Sequence, residues 1–193
     1  VFGAVARDMV ARGWSGFPQE PFGQRRPGTV NNEMIRWSEK YDLANRRPDP
    51  KTLDLWCAQC ASLNVAVVLG PASGHTFVVD IDVTEPDLSA QIQELAERIL
   101  GRTPLRRVGR EPKMALVYRH APDEEIPGRS PKFAAYDAAG NVIRGDQGIE
   151  IISSGQAMTF FGKHHGTGKY FRWLEGSPSI LGPEAAPLVT AAQ

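Results

Sequence analysis

Helical periodicity runs through four stretches of the chain. In residues 87–101 the leucines and isoleucines recur every three or four positions, which places them on one face of an amphipathic helix that Gly101 ends. Asp49 followed by Pro50 is typical of a helix N-cap and the first helical residue. The predicted helices are residues 1–13, 31–42 (capped by Asn31 or Asn32), 49–61 and 87–101.

Short apolar runs and alternating positions elsewhere in the chain predict β-strands. The predicted strands are residues 64–70, 76–83, 113–119, 148–154, 157–165 and 169–175, with a hairpin over residues 133–145 that turns at Ala138, Ala139 and Gly140. Helices therefore come first, and a sheet with one long inserted helix follows. This order predicts an α+β fold, or a mixed α/β one, in which the strand after 76–83 is reached by a crossover connection and the later strands form meanders.

One predicted strand carries two acids inside a hydrophobic run, in the stretch HTFVVDIDVTEPD. Because alternate residues of a strand share a face, Asp80 and Asp82 lie side by side while Ile81 enters the core. Two neighbouring carboxylates repel each other, and a hard divalent cation such as Mg²⁺ or Mn²⁺ would remove that repulsion. The alternative is a strand end whose acids face solvent.

A third acid could complete such a metal site. Glu150 lies in GIEII between Ile149 and Ile151, where strand propensity argues against an acid. Three carboxylates carried by strands suit a site of one or two metal ions. The alternative is a glutamate of an edge strand that faces water.

Basic residues follow in two clusters that could meet phosphate groups. The segment LRRVGREPKMALVYR contains Arg106, Arg107, Arg110, Lys113 and Arg119, and strand alternation lets Lys113 project into the same groove as the acids. The alternative for this first cluster is a solvated turn with ordinary charges, and for the second it is a plain hairpin whose histidines face solvent. The second cluster, FFGKHHGTGKYFRW, combines glycines with Lys163, His164, His165, Thr167, Lys169 and Arg172, and it is not a Walker A loop.

The composition of the chain limits the number of domains and the kinds of binding site that it can have. The 193 residues suit one domain, or one domain with a small appendage, and the 41% hydrophobic content is enough for a core. With 22 basic and 22 acidic residues the net charge is zero, so any site for a polyanion must be a local patch. No apolar run approaches the roughly 20 residues of a membrane span, and no signal peptide is visible, so no membrane partner is expected.

The two cysteines, Cys57 and Cys60, stand in WCAQC without a second cysteine pair, and His164 and His165 lack the spacing of a zinc finger. No structural zinc is therefore expected. The pair is interpreted as helix and core residues, with a redox motif as the alternative. Two core thiols indicate a reducing, cytoplasmic setting.

The order of the segments NVAVVLGPASGHTFVVDID, RVGREPKMALVYR and GIEIISSGQAMTFFGKHHGTGKYFRW resembles that of a known family. It is similar to the bifunctional DNA primase/polymerase (prim-pol) domain of phage and plasmid replication proteins, within the archaeo-eukaryotic primase superfamily. The likeness spans roughly residues 5–175 and includes a helix ending in RGW and a loop containing RRPG.

The resemblance implies an archaeo-eukaryotic primase-like catalytic core, with an RRM-like palm and N-terminal helices, over residues 1–175. It implies that Asp80, Asp82 and Glu150 are the catalytic acids and hold two Mg²⁺ or Mn²⁺ ions. Where family members usually have a phosphate-binding histidine, this chain has Lys113. His164 and Thr167 match a later family motif, and either His164 or His165 enters the pocket, with His164 favoured. Further nucleotide-binding candidates are Arg107, Arg110 and Lys163.

The function implied is template-directed nucleotidyl transfer by a DNA primase or DNA polymerase in phage or plasmid replication. The expected partners are a single-stranded DNA template, a primer strand and dNTP or NTP, with a helicase, as a further domain or a separate protein, as a candidate. The expected location is the cytoplasm of a bacterium or of a phage-infected host. Two alternatives stay open: a non-catalytic module that binds nucleotide or nucleic acid, and a metal-dependent nuclease. Residues 176–193, rich in Pro and Ala, are expected to be a tail or the start of a linker.

Overall fold

The structure is a computed structural model that describes residues 1–23, 25–143, 147–190 and 192. In it, the sheets, rather than the helices, position most of the candidate site residues. Within the described residues the fold is α+β, as predicted. The helices are α1 (Phe2–Ala11), α2 (Pro50–Gln59) and α3 (Pro86–Leu100), and the strands are β1 (Gly16–Gln19), β2 (Thr29–Val30), β3 (Glu33–Met34), β4 (Asn64–Val68), β5 (Thr76–Asp82), β6 (Arg106–Val108), β7 (Met114–His120), β8 (Gly148–Ile152), β9 (Ala157–Phe161), β10 (Arg172–Trp173) and β11 (Leu188–Val189).

The three long helices begin and end close to where the sequence predicts. Asp49 caps α2, since its carboxylate accepts a hydrogen bond from the Thr52 backbone N–H at 2.9 Å and Pro50 takes the first helical position. Glu85 caps α3 in the same way, and Gly101 follows its last residue with a φ of 87°, a backbone conformation that suits glycine.

The short helix predicted over residues 31–42 is wrong. Asn31 and Asn32 have φ values of 51° and 65° and form the tight turn between β2 and β3. Two consecutive residues with positive φ are typical of a two-residue hairpin turn, in which asparagine is favoured. The side chains that suggested a helix N-cap are therefore turn residues.

The larger sheet has the strand order β10-β6-β7-β5-β8, and β11 pairs with β7 in parallel. Strands β5 and β6 run in the same direction because each is antiparallel to β7, so α3 makes a crossover between them. The predicted crossover to residues 113–119 is wrong, because β7 is antiparallel to β5 and the strand reached through α3 is β6, which the sequence pattern did not predict. The expected meander of later strands is only partly right. Strand β8 pairs with β5, whereas β9 joins β4 and β1 in a second, three-stranded sheet.

Two hydrophobic clusters lie on opposite faces of the larger sheet. Phe77, Val79 and Ile81 of β5 point towards α3 and pack in the smaller cluster. The alternate residue Val78 points to the other face and joins the larger cluster, which fills the space between the two sheets and the N-terminal helices. Asp80 and Asp82 share the face of Val78, at the edge of this larger core.

Residues 176–190 lie against the rest of the domain. The Trp14 indole donates a hydrogen bond to the Leu181 carbonyl at 2.8 Å, the Arg12 guanidinium donates one to the Ser179 carbonyl, and β11 extends the larger sheet. Cys57 and Cys60 are buried free thiols at the end of α2. Within the described ranges, no helix is long and apolar enough to cross a membrane.

The hairpin predicted over residues 133–145 forms within its described part. Tyr136 and Val142 form an antiparallel bridge, and the Asp137 carboxylate accepts hydrogen bonds from the Ala139 and Asn141 backbone N–H groups in the turn. Arg144 and Gly145 lie outside the described residues.

Candidate active site

One row of residues crosses the larger sheet and contains both acidic and basic residues of the candidate site. Trp173 pairs with Arg107, Arg107 with Ala115, Ala115 with Asp80, and Asp80 with Glu150. Directly opposite residues on neighbouring strands share a face, with Cβ atoms roughly 5 Å apart. A guanidinium and two carboxylates therefore face the same space, and the small Ala115 between them leaves that space open.

Asp80 is the most perturbed acid of this row. The pKa of its carboxyl is raised to about 6, chiefly by burial and also by the nearby charges of Asp82 and Glu150, against the opposing effect of Arg107. Asp82 follows two residues later on the same face of β5, about 7 Å along the strand. Three carboxylates thus face the same space, and burial penalises the charged form of the one in the middle, Asp80.

Lys113 immediately precedes β7 and lies beside the acids, as strand alternation predicted. Its Nζ is 3.0 Å from Oδ1 of Asp82, and both side chains are partly exposed. The Glu150 carboxylate has a different partner, the Ser130 hydroxyl, which donates to it at 3.2 Å. Each outer acid therefore has one polar neighbour, and Asp80 lies between them.

Arg107 is a buried cation with unused hydrogen-bond donors. Its Nε and Nη1 atoms are buried and have no hydrogen-bond partner within the described structure, and its guanidinium lies 4.3 Å from the centre of the Phe171 ring. Burial lowers its pKa to about 10, and the charge of Asp80 opposes that shift. Buried donors without partners are rare and cost free energy of folding. A group of this kind is suited to bind an anion, to which it can donate hydrogen bonds.

A hairpin over residues 162–171 closes the site from above. The Phe171 N–H donates to the Gly162 carbonyl, and the His164 N–H donates to the Lys169 carbonyl at 2.7 Å. Nδ1 of His164 lies 3.2 Å from the backbone nitrogens of Gly166 and Thr167. It accepts from both N–H groups, which leaves the proton of a neutral ring on Nε2.

The two histidines of this hairpin stack on each other, with ring centres 4.7 Å apart. Burial lowers the pKa of His164, and the neighbouring His165 and Arg107 lower it further. Burial also lowers the pKa of His165, assisted by the charge of Arg25. Both rings are therefore weak bases that favour the neutral form in the absence of an anion.

These groups line a single cavity of about 170 Å³ between the sheet face and the hairpin. Its lining includes the predicted residues Asp80, Asp82, Glu150, Lys113, Arg107, Arg110, His164 and His165. Lys163 and Thr167 do not line it. The Lys163 Nζ lies 5.9 Å from the centre of the Tyr170 ring, and the Thr167 backbone N–H supports His164.

The cavity lining also contains residues that are missing from the sequence-based prediction of the site, among them Arg25, Phe171 and Thr159. Arg25 reaches the cavity from the loop before β2, with a φ of 52°. Phe171 contacts both Arg107 and His164, and the Thr159 hydroxyl lies 2.5 Å from Oε1 of Gln19. The only available signal for Arg25 was an arginine pair in a loop rich in proline and glycine, where no periodicity assigns a direction to a side chain.

The donor set of the site suits a hard divalent cation, because Asp80, Asp82 and Glu150 supply only carboxylate oxygens. A divalent cation would also relieve the repulsion that contributes to the raised pKa of Asp80. As the side chains stand, the described part of the chain has no group of three His, Cys, Asp or Glu residues that could hold a metal ion.

Comparison with models of protein families identifies the family of the chain. The family model described as bifunctional DNA primase/polymerase, N-terminal, matches residues 6–189, nearly the whole chain. No curated protein matches the chain. The matched range contains the entire row of charged residues and the hairpin that covers it. The chain therefore belongs to the family of bifunctional DNA primase/polymerase N-terminal domains.

Proposed function

We propose that the protein is a DNA-directed nucleotidyltransferase, a primase or DNA polymerase that joins nucleotides on a single-stranded DNA template. One observation carries the proposal: three carboxylates and a buried guanidinium, whose Nε and Nη1 have no hydrogen-bond partner among the described residues, line the same cavity. Nucleotidyl transfer needs both features, since the triphosphate requires cationic donors and the reacting oxygens require a metal site.

Asp80, Asp82 and Glu150 would hold Mg²⁺ or Mn²⁺. When bound, ions of this kind activate the attacking hydroxyl and stabilise the leaving oxygen in phosphoryl and nucleotidyl transfer. The chain's own contribution is to keep the three carboxylates on one face of adjoining strands, at the floor of a cavity whose wall is Phe171 and the 162–171 hairpin. Orientation of this kind supplies a large part of catalysis by positioning.

The cations of the cavity would bind the triphosphate. Arg107 is the principal candidate, because its Nε and Nη1 donors have no partner among the described residues and its guanidinium lies against the Phe171 ring. The neutral His164 would donate a hydrogen bond from Nε2, in an orientation that the Thr167 backbone N–H maintains. Lys113 and Arg110 would add charge at the cavity wall, with Lys113 exchanging its contact with Asp82 for one with phosphate.

The family membership supports a role in DNA synthesis, and the wider setting is part of our proposal. The protein would act in phage or plasmid replication, in the cytoplasm, with a template strand, a primer strand and dNTP or NTP as its partners. A helicase, as another domain or as a separate protein, would open the template.

Primer extension on a single-stranded template, with dNTPs and Mn²⁺ or Mg²⁺, tests the proposal. We expect extension by the wild type and none by the Asp80→Ala/Asp82→Ala variant. A Glu94→Ala/Asp123→Ala variant, in which two exposed acids outside the cavity are removed, makes the same change in net charge and should extend normally.

The other outcomes of this experiment identify the alternatives. Nucleotide binding by the wild type, measured by calorimetry, without any extension would favour a binding module. Loss of labelled primer without extension would favour a metal-dependent nuclease. Equal extension by the wild type and the Asp80→Ala/Asp82→Ala variant would refute the role of these acids.

A further inference from the structure

A second groove lies directly beside the candidate active site. It shares Gly109 and Arg110 with the central cavity, and the other side is formed by the outer surface of the 162–171 hairpin and the start of β10. We call it the outer groove; its remaining lining residues are Val108, Glu111, Thr167, Lys169, Tyr170 and Arg172. A chain that leaves the central cavity past Arg110 enters this groove.

Tyr170 presents an aromatic ring to the outer groove. Its neighbour Phe171 points inward and packs on Arg107 and His164, whereas Tyr170 points outward and leaves 58% of its surface exposed. The Lys163 ammonium lies 5.9 Å from the centre of the Tyr170 ring. An exposed ring next to cationic side chains is a platform on which a nucleobase can stack while its phosphates meet positive charge.

The charge of the outer groove is positive, although the net charge of the chain is zero. Arg110, Lys169 and Arg172 are exposed cations of this groove, and Glu111, which forms an ion pair with Arg172, is its only acid among the described residues. A local excess of cations attracts a polyanion that the molecule as a whole would not attract.

We propose that the outer groove binds a single strand of nucleic acid, with one base stacked on Tyr170 and the adjoining phosphates on Arg110 and Lys169. The inference rests on the proposed function in one respect, since it makes this strand the template or primer that leads into the catalytic cavity. The stacking contact is tolerant of sequence, because every base has an aromatic face. The groove would thus hold the strand without selecting a motif.

Binding of a fluorescein-labelled oligothymidylate of about 15 nucleotides, followed by fluorescence anisotropy, tests this inference. The measurement is made in EDTA without dNTP, so it does not depend on catalysis. The Tyr170→Leu variant should bind roughly ten-fold more weakly than the wild type, because it lacks the aromatic face. The Tyr170→Phe variant keeps the face and should bind within about two-fold of the wild type.

Matched controls separate the groove from the general surface. Tyr136 is equally exposed, at 58%, and does not line the groove, so Tyr136→Leu should leave binding unchanged. Lys169→Gln should reduce the slope of log affinity against log salt by about 0.7, whereas Lys51→Gln, an exposed lysine on α2, should not.

Each result of the test supports or overturns the inference. Equal affinities of the Tyr170→Leu and Tyr136→Leu variants, or no binding of the oligonucleotide by the wild type at low salt, would overturn it. If the two variants bind equally well but the wild type extends primers, the proposed function is still supported. Conversely, binding that depends on Tyr170 in a protein that does not extend primers would support the groove and refute the polymerase.

Discussion

Replacing Asp80 with asparagine should make the metal-free protein more stable at neutral and alkaline pH. The pKa of the Asp80 carboxyl is raised to about 6, chiefly by burial and in part by the charges of Asp82 and Glu150. The folded protein therefore destabilises the charged form of this side chain relative to the unfolded chain. Asparagine has nearly the same shape and cannot ionise, so the Asp80→Asn variant avoids that penalty. Functional sites often lower the stability of a protein, and a substitution that removes the functional group can restore that stability.

The magnitude follows from the change in pKa. From a reference value of 3.8 to about 6 is roughly two units, and each unit corresponds to 1.36 kcal/mol, so the penalty is about 3 kcal/mol when the carboxyl is ionised in both states. Below about pH 4 both states hold the proton and the penalty vanishes. Between about pH 4 and pH 6 the folded state holds a proton that the unfolded chain has lost, so stability falls as pH rises.

Urea denaturation in EDTA at pH 5 and pH 8 measures this effect. The Asp80→Asn variant should exceed the wild type in free energy of unfolding by about 2–3 kcal/mol at pH 8, and by clearly less at pH 5. Asp82→Asn is the matched control, because its carboxylate is paired with Lys113 at 3.0 Å and its removal should bring no such gain. A variant that is less stable than the wild type at pH 8, or whose advantage does not change with pH, would refute this reasoning.

Three further substitutions test how the cavity is built. Phe171→Ala should weaken dNTP binding, measured by calorimetry, by about ten-fold, because Arg107 loses the ring 4.3 Å from its guanidinium; unchanged affinity would contradict its positioning role. Gly109→Ala should also weaken dNTP binding, because the added Cβ would lie 2.5 Å from the Phe171 ring. Wild-type dNTP affinity of a folded Gly109→Ala variant would show that the ring moves freely. Gly162→Ala should destabilise the fold by more than about 2 kcal/mol, because its Cβ would fall 1.9 Å from an asparagine oxygen of β4, whereas Gly155→Ala, also at positive φ but with open space around it, should cost less in urea denaturation.

Much of the site could be predicted because strand alternation assigns each side chain to a face. Asp80 and Asp82 on β5 and Glu150 on β8 meet the same space, and the register makes Asp80 and Glu150 direct neighbours. The same rule separates Arg106 from Arg107 on β6. Arg106 forms ion pairs with Glu97 of α3 and with Glu175, while Arg107 enters the cavity.

The parts that could not be predicted depend on contacts between distant segments. Asparagine is favoured both at helix N-caps and in tight turns. Asn31 and Asn32 therefore suggested the start of a helix where the chain makes a hairpin. Arg25 lies in a loop whose path is determined by tertiary packing. The division of β8 and β9 between two sheets likewise depends on which partner strand each one finds, and local sequence does not encode that choice.

The central claim is that the row of Arg107, Asp80 and Glu150 is a catalytic centre, and Asp80→Asn tests it most directly. The measurement is the rate of incorporation of one dNTP onto a primed template by the wild type and by this variant, each with its folded fraction verified. We predict that the variant, although at least as stable as the wild type, loses incorporation by at least about a hundred-fold. Incorporation at the wild-type rate by the folded variant would contradict the account.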